Sequence, residues 1–382
     1  MHESTALTPD DAEAWKAADE AERQDVSLGL MLYNKGKDFV LAEKYKDDLR
    51  RTQSSLAFSA LTRLGRFEEA ASLLDRLEDS EENRLRRKSL GLMEQMQSPL
   101  EEEPRVHVLL LSRQRVDMVA KAVNQLAMTN YRNWAMYIAD NGSDDGTWEE
   151  LNRAVASLPD FVEVHAERFP TNIGRPAGHN WLLDKYDHSG ADFIAIADDD
   201  LFAVNPEWIS DMVKTMRLFP QAAAVGTKAY GDESPRVIHG AVRRILLYEK
   251  EDFEISHGAC ETDWGQYDYI DMVDHVIGCL HMYRRSALFE DGGNFDIGLS
   301  PCQRVDVEHH LRLRMLGHDI IYNGYIGVGH LRAGGGGATM TGAAFGNVLG
   351  NQIKMLYKHD PKAVQAAMRL WRAQRLEWLA SA

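Results

Sequence analysis

Three adjacent carboxylates, Asp198-Asp199-Asp200, directly follow the apolar run Phe193–Ala197. Like charges at the end of a buried strand repel, so a cation must compensate them. Carboxylate oxygens select hard divalent ions, Mn²⁺ or Mg²⁺, and a nucleotide diphosphate would supply the remaining oxygens. Side chains alternate along an extended chain, which aims Asp198 and Asp200 to one side and Asp199 to the other. The competing reading is an acidic surface loop. A second polar constellation, Asp140-Asn141-Gly142-Ser143-Asp144-Asp145-Gly146-Thr147, follows the run Trp134–Ala139. It can hydrogen-bond a base and a ribose, while Asp145 or Thr147 can equally cap the next helix. Asp306-Val307-Glu308 opens a helical stretch reaching Gly317. Acidic residues there are favoured by the helix dipole, and the same carboxylates suit a base that takes a proton from a hydroxyl. His330 closes Gly327-Val328-Gly329-His330 at the end of a predicted strand.

The elements around these residues alternate. Short apolar runs at Val106–Leu111, Trp134–Ala139, Phe161–His165, Phe193–Ala197 and Ala222–Gly226 are separated by helical stretches at 116–128, 147–157, 176–186 and 206–218, the last started by Pro206. This pattern predicts an α/β fold with a mostly parallel sheet covered on both faces. Ligands then bind where loops converge at the carboxyl ends of strands, which is where the polar clusters fall.

Residues 10–97 have a different texture. They lack Pro and are rich in Ala, Leu, Glu, Lys and Arg, a helix-forming composition. Leu56, Ala60, Leu64, Gly65, Phe67, Ala70, Leu73, Leu74 and Leu77 read as one tetratricopeptide-like hairpin over about 50–79, either a peptide-binding surface or a plain helical cap. Glu101-Glu102-Glu103 before Pro104 marks a linker. The expected organisation is a helical region 1–103, an α/β domain 104–332, and a segment 333–382. That last segment combines a Gly-rich stretch, as a lid or a linker, with helices at about 343–358 and 361–379. Trp371 and Trp378 on the last helix are read as packing residues.

Composition narrows the partners. A net charge of −16 is ill-suited to holding a polyanion, so nucleic acid is disfavoured as a partner unless a local basic groove exists. Three cysteines, Cys260, Cys279 and Cys302, suit a reducing compartment better than a disulfide framework. Without a basic–apolar leader after Met1 or a run of about 20 apolar residues, the expected location is the cytoplasm. His257, Cys260, Cys279 and His281 do not have the spacing of a zinc ribbon or finger.

Taken in order, the Asp140 turn, Asn172-Ile173-Gly174 with Gly178 and Asn180, the Asp198–Asp200 triplet, Gly278 in an apolar strand, Asp306/Glu308 and His330 resemble the family-2 glycosyltransferases and their GT-A relatives. The resemblance spans roughly 230 residues. It implies a GT-A-type, Rossmann-like nucleotide-binding core and transfer, with inversion, from a nucleoside-diphosphate sugar, most simply a UDP-sugar. The acceptor is a hydroxyl on a glycan, a protein or peptide, or a small molecule. By the same resemblance Asp140 and Asp145, with Asn141 and Ser143 beside them, look like the base and ribose contacts. Asn172, Gly174 and Asn180 flank the donor, as does Gly278. Asp198 and Asp199 lie near ribose and diphosphate, and Asp198, Asp200 and His330 hold the metal. Asp306 falls where the family places its base, with Arg312 following.

Two departures matter. The first strand ends Ser112-Arg113-Gln114-Arg115 rather than in a Thr-Tyr-Asn-Arg-like turn, leaving Ser112 and Arg115 as the base-side candidates. Val305 stands where the family has Glu, so either Asp306 acts without that neighbour or Glu308 shares the role. A sugar-1-phosphate nucleotidyltransferase is the main rival, disfavoured because Ser112–Asp117 contains no Gly. A catalytically inactive sugar-nucleotide-binding adaptor is the other. Self-association through the helical appendages is compatible with all three.

Overall fold

The computed structural model describes residues 20–247, 253–256, 259–331 and 342–381. The Gly-rich stretch 333–338 and His257 therefore lie outside the described residues.

Five helices come first: α1 (Glu20–Asn34), α2 (Asp38–Tyr45), α3 (Arg51–Arg63), α4 (Phe67–Asp75) and α5 (Glu81–Met96). The hairpin expected over 50–79 is present as α3–α4. The same helix–glycine–helix unit also occurs one step earlier as α1–α2, turning at Gly36 where α3–α4 turns at Gly65. The first copy is hard to read because its exposed positions carry Phe39 and Val40, which blur the helical stripe. Leu41, Ala42, Tyr45, Leu56, Phe58, Leu61, Leu73 and Leu74 form its core.

The α/β part follows as β1 (Val106–Ser112), α6 (Val119–Ala127), β2 (Trp134–Asp140), α7 (Thr147–Val155), β3 (Glu163–Arg168), α8 (Arg175–Lys185), β4 (Phe193–Ala197), β5 (Leu201–Phe202), α9 (Trp208–Leu218) and β6 (Ala222–Tyr230). Next come β7 (Ile238–Gly240), β8 (Arg244–Leu247), β9 (Phe253–Ser256), β10 (Ile270–Val273), β11 (Leu280–Arg284), α10 (Val305–Met315) and β12 (Asp319–His330). The main path of the sheet runs β10-β12-β6-β11-β4-β1-β2-β3. The pairings put six of these strands in one direction, with β10 and β11 opposed to them. The expected mostly parallel sheet is therefore present. Alternation sorts its side chains between two cores: Val106, Val108 and Leu110 pack on one face with Trp208 and Met212 of α9, and Leu109 on the other with Leu182 and Leu183 of α8.

Three of the differences from the sequence reading bear on the site or have a plain cause. The strand expected at Phe161–His165 is Glu163–Arg168. It is the edge strand, where outward positions are polar, so an apolar-run criterion sets it too early. The helix after the triplet begins at Trp208, because Asn205–Glu207 form a turn in which Trp208 N donates to Asn205 O. Gly278 lies in the turn ahead of β11 rather than in a strand.

Two seams join the appendages to the sheet. Lys228, buried on β6, pairs with Asp268 and, at 3.0 Å, with Asp263. The N-terminal helices complete this cluster, since the Tyr33 hydroxyl and Arg63 Nη1 donate to Asp268 Oδ2 at 2.8 and 2.9 Å. At the second seam, α11 (Gly342–Lys358) and α12 (Pro361–Ala380) realise the two C-terminal helices, with the Asp360 side chain capping α12 through Lys362 N. Arg375 makes two hydrogen bonds to Asp271, at 2.6 and 2.9 Å. Trp371 is buried under Arg314, 4.6 Å from guanidinium carbon to ring centre, a packing role as expected. Among the described residues no helix is long and apolar enough to cross a membrane.

Candidate metal and donor site

The triplet ends β4 in the centre of the sheet, and the backbone there splits its three side chains as alternation requires. Asp199 turns toward the end of β1. Its Oδ2 accepts from Ser112 Oγ at 2.8 Å and from Arg113 N at 3.1 Å, and Arg115 Nε lies 3.3 Å from its Oδ1. Burial pushes the Asp199 carboxyl up to about 6, against the pull of Arg115 and Ser112. Ser112 and Arg115, expected on the base side of a donor, are thus directed to Asp199.

Asp198 and Asp200 face the other way, and a two-residue strand supplies the third member. β5 pairs antiparallel with the end of β12, setting His330 opposite Leu201 and Gly329 opposite Phe202. Leu331 N then donates to Asp200 O at 3.1 Å. In this register His330 Nε2 lies 3.1 Å from Asp200 Oδ1 and 3.6 Å from Asp198 Oδ2. The ligand atoms of Asp198, Asp200 and His330 all fall within 4.8 Å of one another. An ion about 2.1 Å from each ligand would hold them roughly 3–4 Å apart, so the arrangement fits one Mn²⁺ or Mg²⁺ with little movement. The two carboxylate oxygens are the donors such an ion prefers, and the imidazole nitrogen favours the softer Mn²⁺ of the two.

Arg175, the first residue of α8, was not singled out from the sequence. Its Nη2 lies 2.7 Å from Asp198 Oδ1 and 3.0 Å from the carbonyl oxygen of Gly278. Burial opposes the charge of Arg175, but Asp198 and Asp306 hold the guanidinium protonated, above its ordinary range. Burial likewise raises the Asp198 carboxyl, and Arg175 and His330 oppose that rise. Gly174 permits the helix start: its φ is +87°, and a Cβ would sit 2.8 Å from Ser300 Oγ. The sequence signal for Arg175 was present in Gly174-Arg175-Pro176, a glycine turn and an N1/N2 proline with a cation aimed back past the strand ends.

Asp306 joins the cluster from α10. A Cβ on Gly278 would lie 2.9 Å from Asp306 Oδ2, so the bare glycine lets the carboxylate approach the backbone. Burial favours the neutral form of Asp306, but His275, Arg175 and His310 together hold its carboxyl below the ordinary range. That direction favours the carboxylate form, the form that can take a proton from a hydroxyl. Glu308, two positions on, points away. Fully buried, it pairs with Arg312, Lys358 and His359 at 3.0, 2.9 and 3.0 Å. The structure does not bring Glu308 to the site, because residues two apart on a helix face nearly opposite directions.

The donor-flanking candidates divide similarly. Asp140 is fully buried, accepting from Ser143 N at 3.1 Å with Arg168 Nε 3.4 Å away. Asn141 and Asn172 tie two loops together, Asn141 Nδ2 donating to Asn172 Oδ1 at 3.0 Å and Asn141 Oδ1 accepting from Ile173 N at 2.9 Å. The Ser143 hydroxyl accepts from Gln114 N at 2.9 Å. Gly146 is the N-cap of α7, and Asp145 one residue ahead accepts from Thr147 N at 3.0 Å, so its carboxylate is engaged at the helix start. Asn180 lies outside the cluster: both ends of its amide are engaged by the Phe295 backbone at 2.8 Å. Gly178 packs α8 on the sheet, since a Cβ there would meet Leu111 at 2.6 Å.

Residues 108–290 match the family model described as Glycosyl transferase family 2. A solved structure of GalNAc-T7 with UDP, GalNAc and Mn²⁺ is similar, at 13% identity and TM-score 0.53, covering 68% of this chain and 48% of that one. A mannosyltransferase of Pyrobaculum calidifontis, PcManGT, in complex with GDP-Man and Mn²⁺ is matched at 15% identity and TM-score 0.43, over 73% of this chain and 68% of that one. In sequence, an uncharacterized protein of Sinorhizobium fredii, y4gI, is 26% identical over 145 residues. That stretch is 38% of this chain and 15% of the length of y4gI. The resemblance to GT-A glycosyltransferases is thereby confirmed for the fold and for the family-matched segment.

Proposed function

We propose, starting from the membership of residues 108–290 in glycosyl transferase family 2, that the chain transfers a sugar from a nucleoside-diphosphate sugar to an acceptor hydroxyl, with inversion at the anomeric carbon. The observation that carries this reading is the meeting of Asp198, Asp200 and His330, held by the β5–β12 register, with Asp306 packed on the same Gly278 that Arg175 holds.

Asp198, Asp200 and His330 would hold Mn²⁺ or Mg²⁺, which when bound neutralises charge developing on the departing diphosphate. The protein's own groups do the rest. The buried Asp199–Ser112–Arg115 set fixes the direction of the triplet, so that Asp198 and Asp200 are presented together. Asp306 accepts the acceptor's hydroxyl proton as the oxygen attacks the anomeric carbon from the face opposite the diphosphate. General-base assistance of this kind is worth about 10²–10⁴-fold. Glu308, locked by Arg312, Lys358 and His359, anchors the end of α11 and takes no part in proton transfer.

The first donor to try in this reading is a UDP-sugar, in line with the UDP and Mn²⁺ held in the GalNAc-T7 structure. The deciding experiment is a panel of nucleoside-diphosphate sugars tested for Mn²⁺-dependent thermal stabilisation and slow hydrolysis. One donor should stabilise the protein only with the ion present. A protein stabilised by none of them, with or without Mn²⁺, does not have this function.

A further inference from the structure

Arg175 and the cation site share one carboxylate. Oδ1 of Asp198 is taken by Arg175 Nη2 at 2.7 Å, while Oδ2 faces His330 at 3.6 Å. The guanidinium is fixed independently of that contact. Its second acceptor is the Gly278 carbonyl, its own backbone N donates to Pro301 O at 2.8 Å, and Gly174 before it is closed in by Ser300. A permanently protonated group therefore stands beside the place a divalent ion would take, on a support that does not depend on that ion.

The charge count has a consequence. Among the ligands Asp198 and Asp200 supply two negative charges and His330 bound through nitrogen none, and Arg175, shared between Asp198 and Asp306, offsets part of the Asp198 charge. A divalent ion in this setting is undercompensated by the protein alone, and a diphosphate supplies the missing negative charge. Resting on the function proposed above, we propose that Arg175 makes cation binding conditional on the nucleotide, by orienting Asp198 through one oxygen while weakening the site for a cation that arrives without diphosphate. Ion and nucleotide then tighten one another's binding, and by linkage the factor is the same in both directions. Arg175 is in this sense a positioning residue with an electrostatic role.

The test is a Mn²⁺ titration followed by electron paramagnetic resonance, without nucleotide and with saturating UDP or GDP. The wild-type protein should bind Mn²⁺ at least tenfold more tightly with one of the two nucleotides. Arg175→Gln should bind Mn²⁺ alone about tenfold more tightly than wild type and lose most of the nucleotide effect, whereas Arg175→Lys should restore most of it. An Arg175→Gln protein that is folded by circular dichroism, yet binds Mn²⁺ alone no more tightly and keeps the full nucleotide effect, overturns the proposal. Should Arg175→Gln not fold, the wild-type protein labelled with ¹⁵N-arginine gives the answer. The guanidinium resonance that is absent in Arg175→Lys should shift on adding Mg²⁺ and shift again on adding the nucleotide; a resonance indifferent to both overturns it equally. Failure of the underlying functional reading looks different: wild type and Asp200→Asn would then give the same Mn²⁺ titration with or without nucleotide.

Discussion

Ser112 Oγ donates to Asp199 Oδ2 at 2.8 Å, which turns the middle carboxylate of the triplet away from its two neighbours. One of three consecutive acids is thereby a structural fixture, and the outer two are left to share a ligand. Asp199→Asn is expected to leave Mn²⁺ affinity within about threefold, while Asp200→Asn abolishes binding. Ser112→Ala leaves a buried carboxylate oxygen short of a donor and should cost about 1–3 kcal/mol. Urea unfolding alongside the Mn²⁺ titration separates the two effects.

Asp306→Asn keeps size and most packing but removes the basic oxygen. Turnover should fall by about 10²–10⁴-fold while the donor's Mn²⁺-dependent thermal shift stays as in the wild type. Unimpaired turnover in a steady-state assay would remove Asp306 from its assigned role.

Glu308 predicts a pH effect on stability rather than on chemistry. Burial would raise its carboxyl, but His359, Arg312 and Lys358 lower it to about 2, from an ordinary value of 4.5. A group with a depressed folded-state value stabilises the fold above its unfolded value and loses that contribution as pH falls. The stabilisation should therefore be complete near neutrality and decline from about pH 4.5 toward pH 2. Glu308→Gln should lower the unfolding free energy at pH 7 by about 3–5 kcal/mol, as when one partner of a buried pair is removed. The gap to wild type should narrow in urea titrations repeated at pH 4 and pH 3.

Gly278→Ala puts a methyl group 2.9 Å from Asp306 Oδ2, closer than contact allows. The carboxylate must move, so a loss of kcat larger than the loss of donor affinity is expected, read from a full kinetic profile. Gly174→Ala combines a similar collision with a φ of +87° and should cost more than 1 kcal/mol in stability.

The strand–helix rhythm from Val106 to Tyr230 was legible because each buried strand carries a continuous apolar run and each helix an apolar stripe. The opposed directions of Asp198 and Asp199 also followed from alternation alone. What placed His330 beside Asp200 was not legible: β5 has two residues, too short to leave a periodic trace, yet its pairing with β12 fixes the site. Glu308 could have been set aside from the sequence, since a helix sends positions 306 and 308 to different faces; the acidic first turn masked that geometry. Arg175 stayed hidden because a cation in the first turn of a helix runs against the dipole, so nothing in local propensity explains its presence there. The contact with Asp198 does.

The ionic seam of Tyr33, Arg63, Lys228, Asp263 and Asp268 sets a lower limit on what can be cut away. A fragment trimmed to the α/β residues from 104 onward would uncover Lys228 and Asp268 without Arg63 and Tyr33, and would also bare the apolar surface beneath α5. Such a fragment should aggregate on expression. The smallest version of this protein worth purifying keeps its first five helices.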